Sequence, residues 1–235
     1  MKPLLIVRMG ACLLPERGEF ADLIREGAAV SANRIRVVDV VAGEPLPSPT
    51  DAAGVIVTGS AAMVTAREPW SERTGAWLLA MLEANVPFLG ICYGHQLLAD
   101  VLGGHVGVNP RGREMGTIDV DVTEAARGDP LFATLPPRLR VQATHLESVL
   151  DLPPGARLLA GNAADPHQAF AVGARAWCVQ FHPEFDAEVM RGYIAARAEM
   201  VRAEGLDPDA MHAAAEDSPH GHQLLRRFAV LCGAA

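Results

Sequence analysis

The sequence predicts an α/β fold of three layers, a mostly parallel central sheet flanked by helices. Three observations carry that expectation. Short apolar runs rich in β-branched residues recur along the first hundred positions, and helix-like stretches with apolar residues at three- and four-residue spacing lie between them. Half of the 235 residues are apolar, enough to fill a large single core. Strands that alternate with helices are joined by crossovers, which sets them parallel and covers both faces of the sheet.

The strand-like runs are "LLIVRM" (4–9), "RIRVVDV" (34–40), "GVIVTG" (54–59) and "VPFLGIC" (86–92). Helices are expected over 20–29 and 71–83, the second with Trp77, Leu78, Met81 and Leu82 at helical spacing. The pattern then changes. "GTIDVDVT" (116–123) alternates apolar and polar residues, and "RLRVQATH" (138–145) follows Pro136 and Pro137, so a small antiparallel, half-exposed addition is expected. "ARLLAG" (156–161), "QAFAVG" (168–173) and "AWCVQF" (176–181) add strands. Residues 187–204 read as one helix and 221–231 as another, leaving two helices and a turn after Phe185. The proline-rich "EPLPSPTD" (44–51) reads as a surface loop.

Composition removes several function classes. Twenty basic against 28 acidic residues, a net charge of −8, leave no basic footprint for nucleic acid. The apolar run 4–7 is too short for a secretory segment or a membrane span, so no membrane partner is expected. Cys12, Cys92, Cys178 and Cys232 are widely separated and form no C-x-x-C pair, which points to a reducing cytoplasm and to no zinc site. His220 and His222 stand two apart without further nearby ligands, so no metal is expected. No phosphate-binding G-x-x-x-x-G-K-[ST] run occurs, and no cofactor is expected.

The chemistry concentrates in "FLGICYGHQLLAD" (88–100), where Cys92 stands between Gly90 and Gly94. It follows a buried-looking strand and precedes a helix expected over 96–102, closed by Gly103 and Gly104. A lone cysteine in an apolar run is commonly a small packed hydrophobe. The same residue at a strand-to-helix corner, with a glycine two positions to each side, has the build of a nucleophile elbow. At such a corner the helix N-terminus stabilises a thiolate, and the next backbone N–H, that of Tyr93, faces a developing oxyanion. A thiol nucleophile needs a base, and the base needs an orienting group. "VQFHPEF" (179–185) offers both: His182 and Glu184 are two apart in extended chain and stiffened by Pro183. Taken alone, His182 reads equally as a structural histidine at a strand end.

"GICYGHQLLA" followed about ninety residues later by "VQFHPEF", with "VTGS" upstream and "HLESV" between, resembles the class I (triad) glutamine amidotransferase family. Within it, the chain is similar to the stand-alone branch related to the amidotransferase domain of GMP synthase. The resemblance covers about residues 4–185. It implies a flavodoxin-like amidotransferase fold over 1–190, with 191–235 a helical extension packed on the same domain. It implies that Cys92 attacks a γ-glutamyl carboxamide to form a thioester and release ammonia, with His182 as acid and base and Glu184 as its partner. The oxyanion hole would come from the N–H groups of Gly59 and Tyr93, and substrate contacts from Ser60, Gln96, Thr144 and His145. "GSAAM" stands where many relatives carry a G-G-P turn, and Glu147 stands where the branch usually shows Asp, a change that would alter a binding or partner-facing surface. Nothing after Phe185 is large enough for a synthase. The implied alternatives are an autonomous γ-glutamyl peptide hydrolase, or a subunit that serves a separate synthase.

Overall fold

The computed structural model describes residues 2–234. Its first half alternates as expected: β1 (Leu4–Arg8), α1 (Phe20–Ala28), β2 (Ile35–Asp39), β3 (Gly54–Val57), α2 (Pro69–Glu83), β4 (Phe88–Ile91) and α3 (Tyr93–Val101). There follow β5 (His105–Val108), β6 (Glu114–Val122), β7 (Arg138–His145), β8 (Glu147–Asp151), β9 (Arg157–Gly161), β10 (Ala169–Val172) and β11 (Ala176–Val179). Nine strands form one sheet in the order β2-β1-β3-β4-β11-β10-β9-β6-β7. From β2 to β11 every neighbour is parallel; from β11 onward every neighbour is antiparallel. The antiparallel addition therefore continues the main sheet by four strands. The separate β5–β8 pair was not anticipated, because these strands of four and five residues carry too little alternation to register.

Both faces of the parallel half are buried, and the two-residue period of the strands sorts their side chains. Leu4, Ile6, Ile56, Leu89 and Ile91 share a core with Ile24 and Ala28 of α1. Leu5, Val7, Val55, Val57 and Phe88 point the other way, to Leu78 and Met81 of α2 and Leu97 and Leu98 of α3. This two-sided burial is why the strands read as continuous apolar runs rather than alternating ones. Among the described residues, no helix is long and apolar enough to cross a membrane.

The C-terminal part departs from the expected two helices and a turn. The run 187–204 is two helices, α4 (Ala187–Ala196) and α5 (Ala198–Ala203), separated at Arg197, whose φ of −109° and ψ of 11° leave the helical region. A short α6 (Pro208–Ala214) follows, started by Asp207, whose side chain accepts from the Asp209 and Ala210 N–H groups, and by Pro208 in the first turn. The last helix, α7 (Pro219–Leu231), begins two residues before the expected 221. Its Leu224, Leu225 and Phe228 enter the same core as β1 and α1, and the Phe228 ring meets Trp177 edge-on at 6.2 Å. Phe228 is fully buried. Its replacement by alanine is expected to cost about 3–5 kcal/mol of unfolding free energy, read from urea melts; a loss below ~1 kcal/mol would show that α7 is not part of the main core.

Candidate active site

The carboxyl ends of β3, β4 and β11 lie side by side at one end of the parallel half, where open α/β sheets form their crevices. Gly59 and Ser60 follow β3, Cys92 follows β4, and His182 and Glu184 follow β11. The helix α3 starts at Tyr93, three residues earlier than the sequence suggested, so no linker separates Cys92 from the helix. Cys92 takes a φ of 49° and a ψ of −96°, a conformation that costs on the order of 1–3 kcal/mol for a residue with a side chain. The flanking glycines explain how the turn closes. A Cβ on Gly90 would fall 2.6 Å from the Gly94 carbonyl oxygen, and one on Gly94 would fall 2.6 Å from that of Val57. Cys92 is buried, and its N–H donates to the Val179 carbonyl at 2.9 Å.

His182 and Glu184 are brought to this turn. The His182 N–H donates to the Gln142 carbonyl at 2.7 Å, which anchors the segment to β7. The imidazole Nδ1 lies 2.8 Å from Glu184 Oε1, and both side chains are buried. The Phe185 ring stacks on His182 at 4.3 Å and 14°. Burial alone would lower the pKa of His182, but the charges of Glu184 and Cys92 and hydrogen bonds to both outweigh it and push it up to about 10. The pairing thus favours the imidazolium form of His182. The other histidine of the motif, His95, is buried against Phe170 and lowered to about 3 by desolvation, so it is neutral.

The remaining predicted residues fall around the same cleft. A Cβ on Gly59 would sit 2.8 Å from His182 Cε1 and 3.6 Å from Cys92 Cβ, so the Gly59 backbone adjoins both. Tyr93 is the first residue of α3, and its N–H lies outside the helical ladder; its phenol donates to Ser71 Oγ at 2.7 Å. Ser60, Gln96, Thr144 and His145 line the cleft with Cys92. The Gln96 amide donates to the Glu147 carbonyl at 2.7 Å and to Gln180 Oε1 at 3.0 Å, which leaves its own oxygen as the group for a ligand. Both ring nitrogens of His145 are engaged, Nε2 with Glu114 at 3.0 Å and Nδ1 with the Glu147 carbonyl at 3.1 Å, so only its backbone remains to face the cleft. Trp70 and Trp77 line a larger depression that holds none of these residues.

Glu147 lies in the wall of the Cys92 cleft and not on an outer, partner-facing surface. Its carboxylate is buried and accepts from the Val64 N–H at 2.9 Å and from the Thr65 hydroxyl, tying the start of β8 to the segment after Gly59. Two further residues escape sequence reasoning because only packing places them. Arg197, at the break between α4 and α5, lines the cleft with Cys92. Gly221, near the start of α7, lies against the backbone of Pro183: a Cβ there would meet the Pro183 oxygen at 2.5 Å and its Cα at 2.8 Å. Of His220 and His222, the first hydrogen-bonds the Arg140 N–H at 3.0 Å and the second lines a recess beside Glu184.

Residues 29–198 match the family model described as glutamine amidotransferase class-I. The chain belongs to the class I glutamine amidotransferases, a family of enzymes. It is 36% identical to the glutamine-hydrolyzing GMP synthase of Aeropyrum pernix over 186 residues, 74% of this chain and 33% of that protein. It is 34% identical to gamma-glutamyl peptidase 3 of Arabidopsis thaliana over 105 residues, 43% of this chain and 42% of that one. The chain thus spans between a third and a half of the length of these curated relatives. Among solved structures, a glutamine amidotransferase of Thermotoga maritima superposes with a TM-score of 0.79 at 25% identity, over 99% of both chains. The elbow and the His182–Glu184 pair are the features of this amidotransferase fold on which a reaction can be built.

The contact of Gly221 with Pro183 yields a test of how this amidotransferase site is braced. Alanine inside a helix is favoured over glycine by ~1 kcal/mol, but overpacking against fixed backbone costs about 1–3 kcal/mol. The second effect wins because every near contact is main chain. Gly221→Ala is expected to lower the thermal midpoint; a raised midpoint would show that α7 yields and does not brace Pro183.

Proposed function

We propose that the chain hydrolyses a γ-glutamyl amide through Cys92, His182 and Glu184. The observation that carries this reading is the Cys92 elbow, strained at positive φ on the N-terminus of α3, with the buried His182 alongside and Glu184 2.8 Å from its Nδ1. Cys92 Sγ bonds to the substrate's δ-carbon, and the oxygen takes negative charge facing the N–H groups of Tyr93 and Gly59. His182 gives its proton to the nitrogen as the C–N bond breaks, so ammonia or an amine leaves and a thioester remains. Water then adds as His182 takes a proton from it, and glutamate departs as the sulfur is restored. Glu184 orients the imidazole and offsets its charge. Ser60, the Gln96 oxygen and the backbone of Thr144 and His145 hold the glutamyl end.

Glutamine is the simplest substrate of this kind. The Aeropyrum pernix relative is a GMP synthase of which the chain spans one third, and this supports a role in which ammonia is handed to a separate synthase subunit. Likeness to a gamma-glutamyl peptidase supports the other reading, an autonomous hydrolase of γ-glutamyl peptides. Both use the same acyl chemistry, require no cofactor and suit a cytoplasmic protein, with residues 1–190 as the amidotransferase domain and 191–235 packed on it.

Glutamate release from glutamine and from γ-glutamyl dipeptides by the purified chain measures the activity, and Cys92→Ala is expected to lower it by at least about a thousandfold. Turnover retained in that variant would overturn the assignment of the nucleophile. The pH profile tests the pair. The acid form of His182 is present below its pKa of about 10 and is lost as pH rises through it, so kcat/KM is expected to fall on the alkaline side near there. Removing the Glu184 charge in Glu184→Gln should move that limb down by about one unit or more. A limb that stays in place would mean that Glu184 does not set the protonation of His182.

A further inference from the structure

We infer that Arg197 is the residue by which this site selects substrates, and that it receives a carboxylate of the substrate. The helix break at Arg197 turns its side chain into the cleft. There it is held by two weak contacts, Nη1 to Thr144 Oγ1 at 3.4 Å and the guanidinium over the Tyr193 ring at 5.9 Å. Among the described residues, no carboxylate lies within 4 Å of it. The neighbouring Arg113 differs: its guanidinium is paired with both oxygens of Glu204, at 2.7 and 3.0 Å. Burial pulls Arg197 below the usual guanidinium value, Arg113 adds to this, and the acidic groups nearby, Glu204 among them, act the other way. A half-buried cation without a counter-ion, beside a reactive sulfur, is an incomplete ion pair. A guanidinium completes it best with a planar, two-oxygen anion.

The walls of the cleft fix where such an anion can come from. Arg197 lines two recesses that also share Ser60, Ala61 and Thr144. One contains Cys92, Gln96 and Glu147; the other contains His182, with Leu13, Phe20 and Tyr193 as its apolar wall. The acyl part of a substrate lies on the Cys92 side, and the leaving nitrogen must lie on the side of His182, which protonates it. Arg197 therefore reaches either the α-carboxylate of the glutamyl group or a carboxylate on an amino-acid leaving group. The chemistry is the same in both cases. Naming the acyl group rests on the γ-glutamyl reading above, whereas the presence of a carboxylate-binding cation beside Cys92 does not.

Two measurements separate these levels. Iodoacetate and iodoacetamide alkylate a thiolate by the same displacement of iodide and differ in carrying a carboxylate or a carboxamide. Their relative rates at Cys92, followed by peptide mass analysis, are compared in the native chain, Arg197→Gln, Arg197→Met and Arg197→Lys; the methionine variant keeps an apolar stem over Tyr193 should the glutamine variant fold poorly. The iodoacetate-to-iodoacetamide ratio is expected to fall about tenfold on loss of the cation and to be largely kept by lysine. An unchanged ratio in the folded neutral variants overturns the proposal. The second measurement is kcat/KM for glutamine, γ-glutamylglycine and γ-glutamylglycinamide. A loss of about tenfold for all three in Arg197→Gln places the α-carboxylate at Arg197, and a loss confined to γ-glutamylglycine places the leaving-group carboxylate there. No loss for any of them overturns the proposal, while a shifted alkylation ratio in a chain that turns over none of the three would sink the γ-glutamyl reading and uphold the carboxylate site.

Discussion

The turn between β4 and α3 closes only where backbone touches backbone, and the rest of the site takes its position from that closure. Gly94 seats on the carbonyl of Val57, which fixes α3 against the end of β3 and thereby against Gly59. Cys92 donates its N–H to Val179, which fixes the same turn against the end of β11 and the segment leading to His182. Any side chain at 90 or 94 would push these segments apart by a sizeable part of a van der Waals diameter. The strain at Cys92 is held in place by sheet pairing on both sides, since β4 is hydrogen-bonded to β3 and to β11. Such strain persists only where its surroundings over-determine the backbone.

Electrostatics adds a second constraint to this geometry. Glu184 is buried, and one of its oxygens has no hydrogen-bond partner among the described residues. A carboxylate in that position is costly to desolvate unless a cation stands next to it. His182 supplies the cation, and its stacking on Phe185 together with the main-chain bond to Gln142 leaves the ring little freedom. The charge of Glu184 thus favours the imidazolium form of His182, and that form is the one the proposed departure of an amine requires. Structure and proposed chemistry here depend on the same pair.

Much of this was legible in the sequence because it is local. The glycine spacing around Cys92 and the His-Pro-Glu order each specify a turn from neighbouring residues alone, and the apolar runs specify strands buried on both faces. What was not legible depends on distant packing. Residues 187–204 keep helical spacing throughout, so nothing local marks the break at Arg197, and an arginine there reads as a solvated face. Glu147 reads as an exposed acid because its partners, Val64 and Thr65, are some eighty positions away. Gly221 sits in a stretch that pattern reading treats as the start of an ordinary surface helix, and only the three-dimensional contact shows that it adjoins Pro183.

These long-range contacts divide the site by origin. The groups proposed to carry the chemistry stand at the ends of parallel strands, whose positions are set by ladders of main-chain hydrogen bonds. The residues around them come from other elements: the start of β8 supplies Glu147, the α4–α5 break supplies Arg197, and the segment before α7 holds β7 through the Gln142 amide, which donates to the Glu216 carbonyl at 2.7 Å. Because Gln142 also accepts the N–H of His182, the C-terminal segment reaches the reactive histidine through a single intervening residue. The strand ends thus place the groups of the proposed acyl chemistry while the helical C-terminus places Arg197 beside them, so the two sets of groups are positioned by separate parts of the fold.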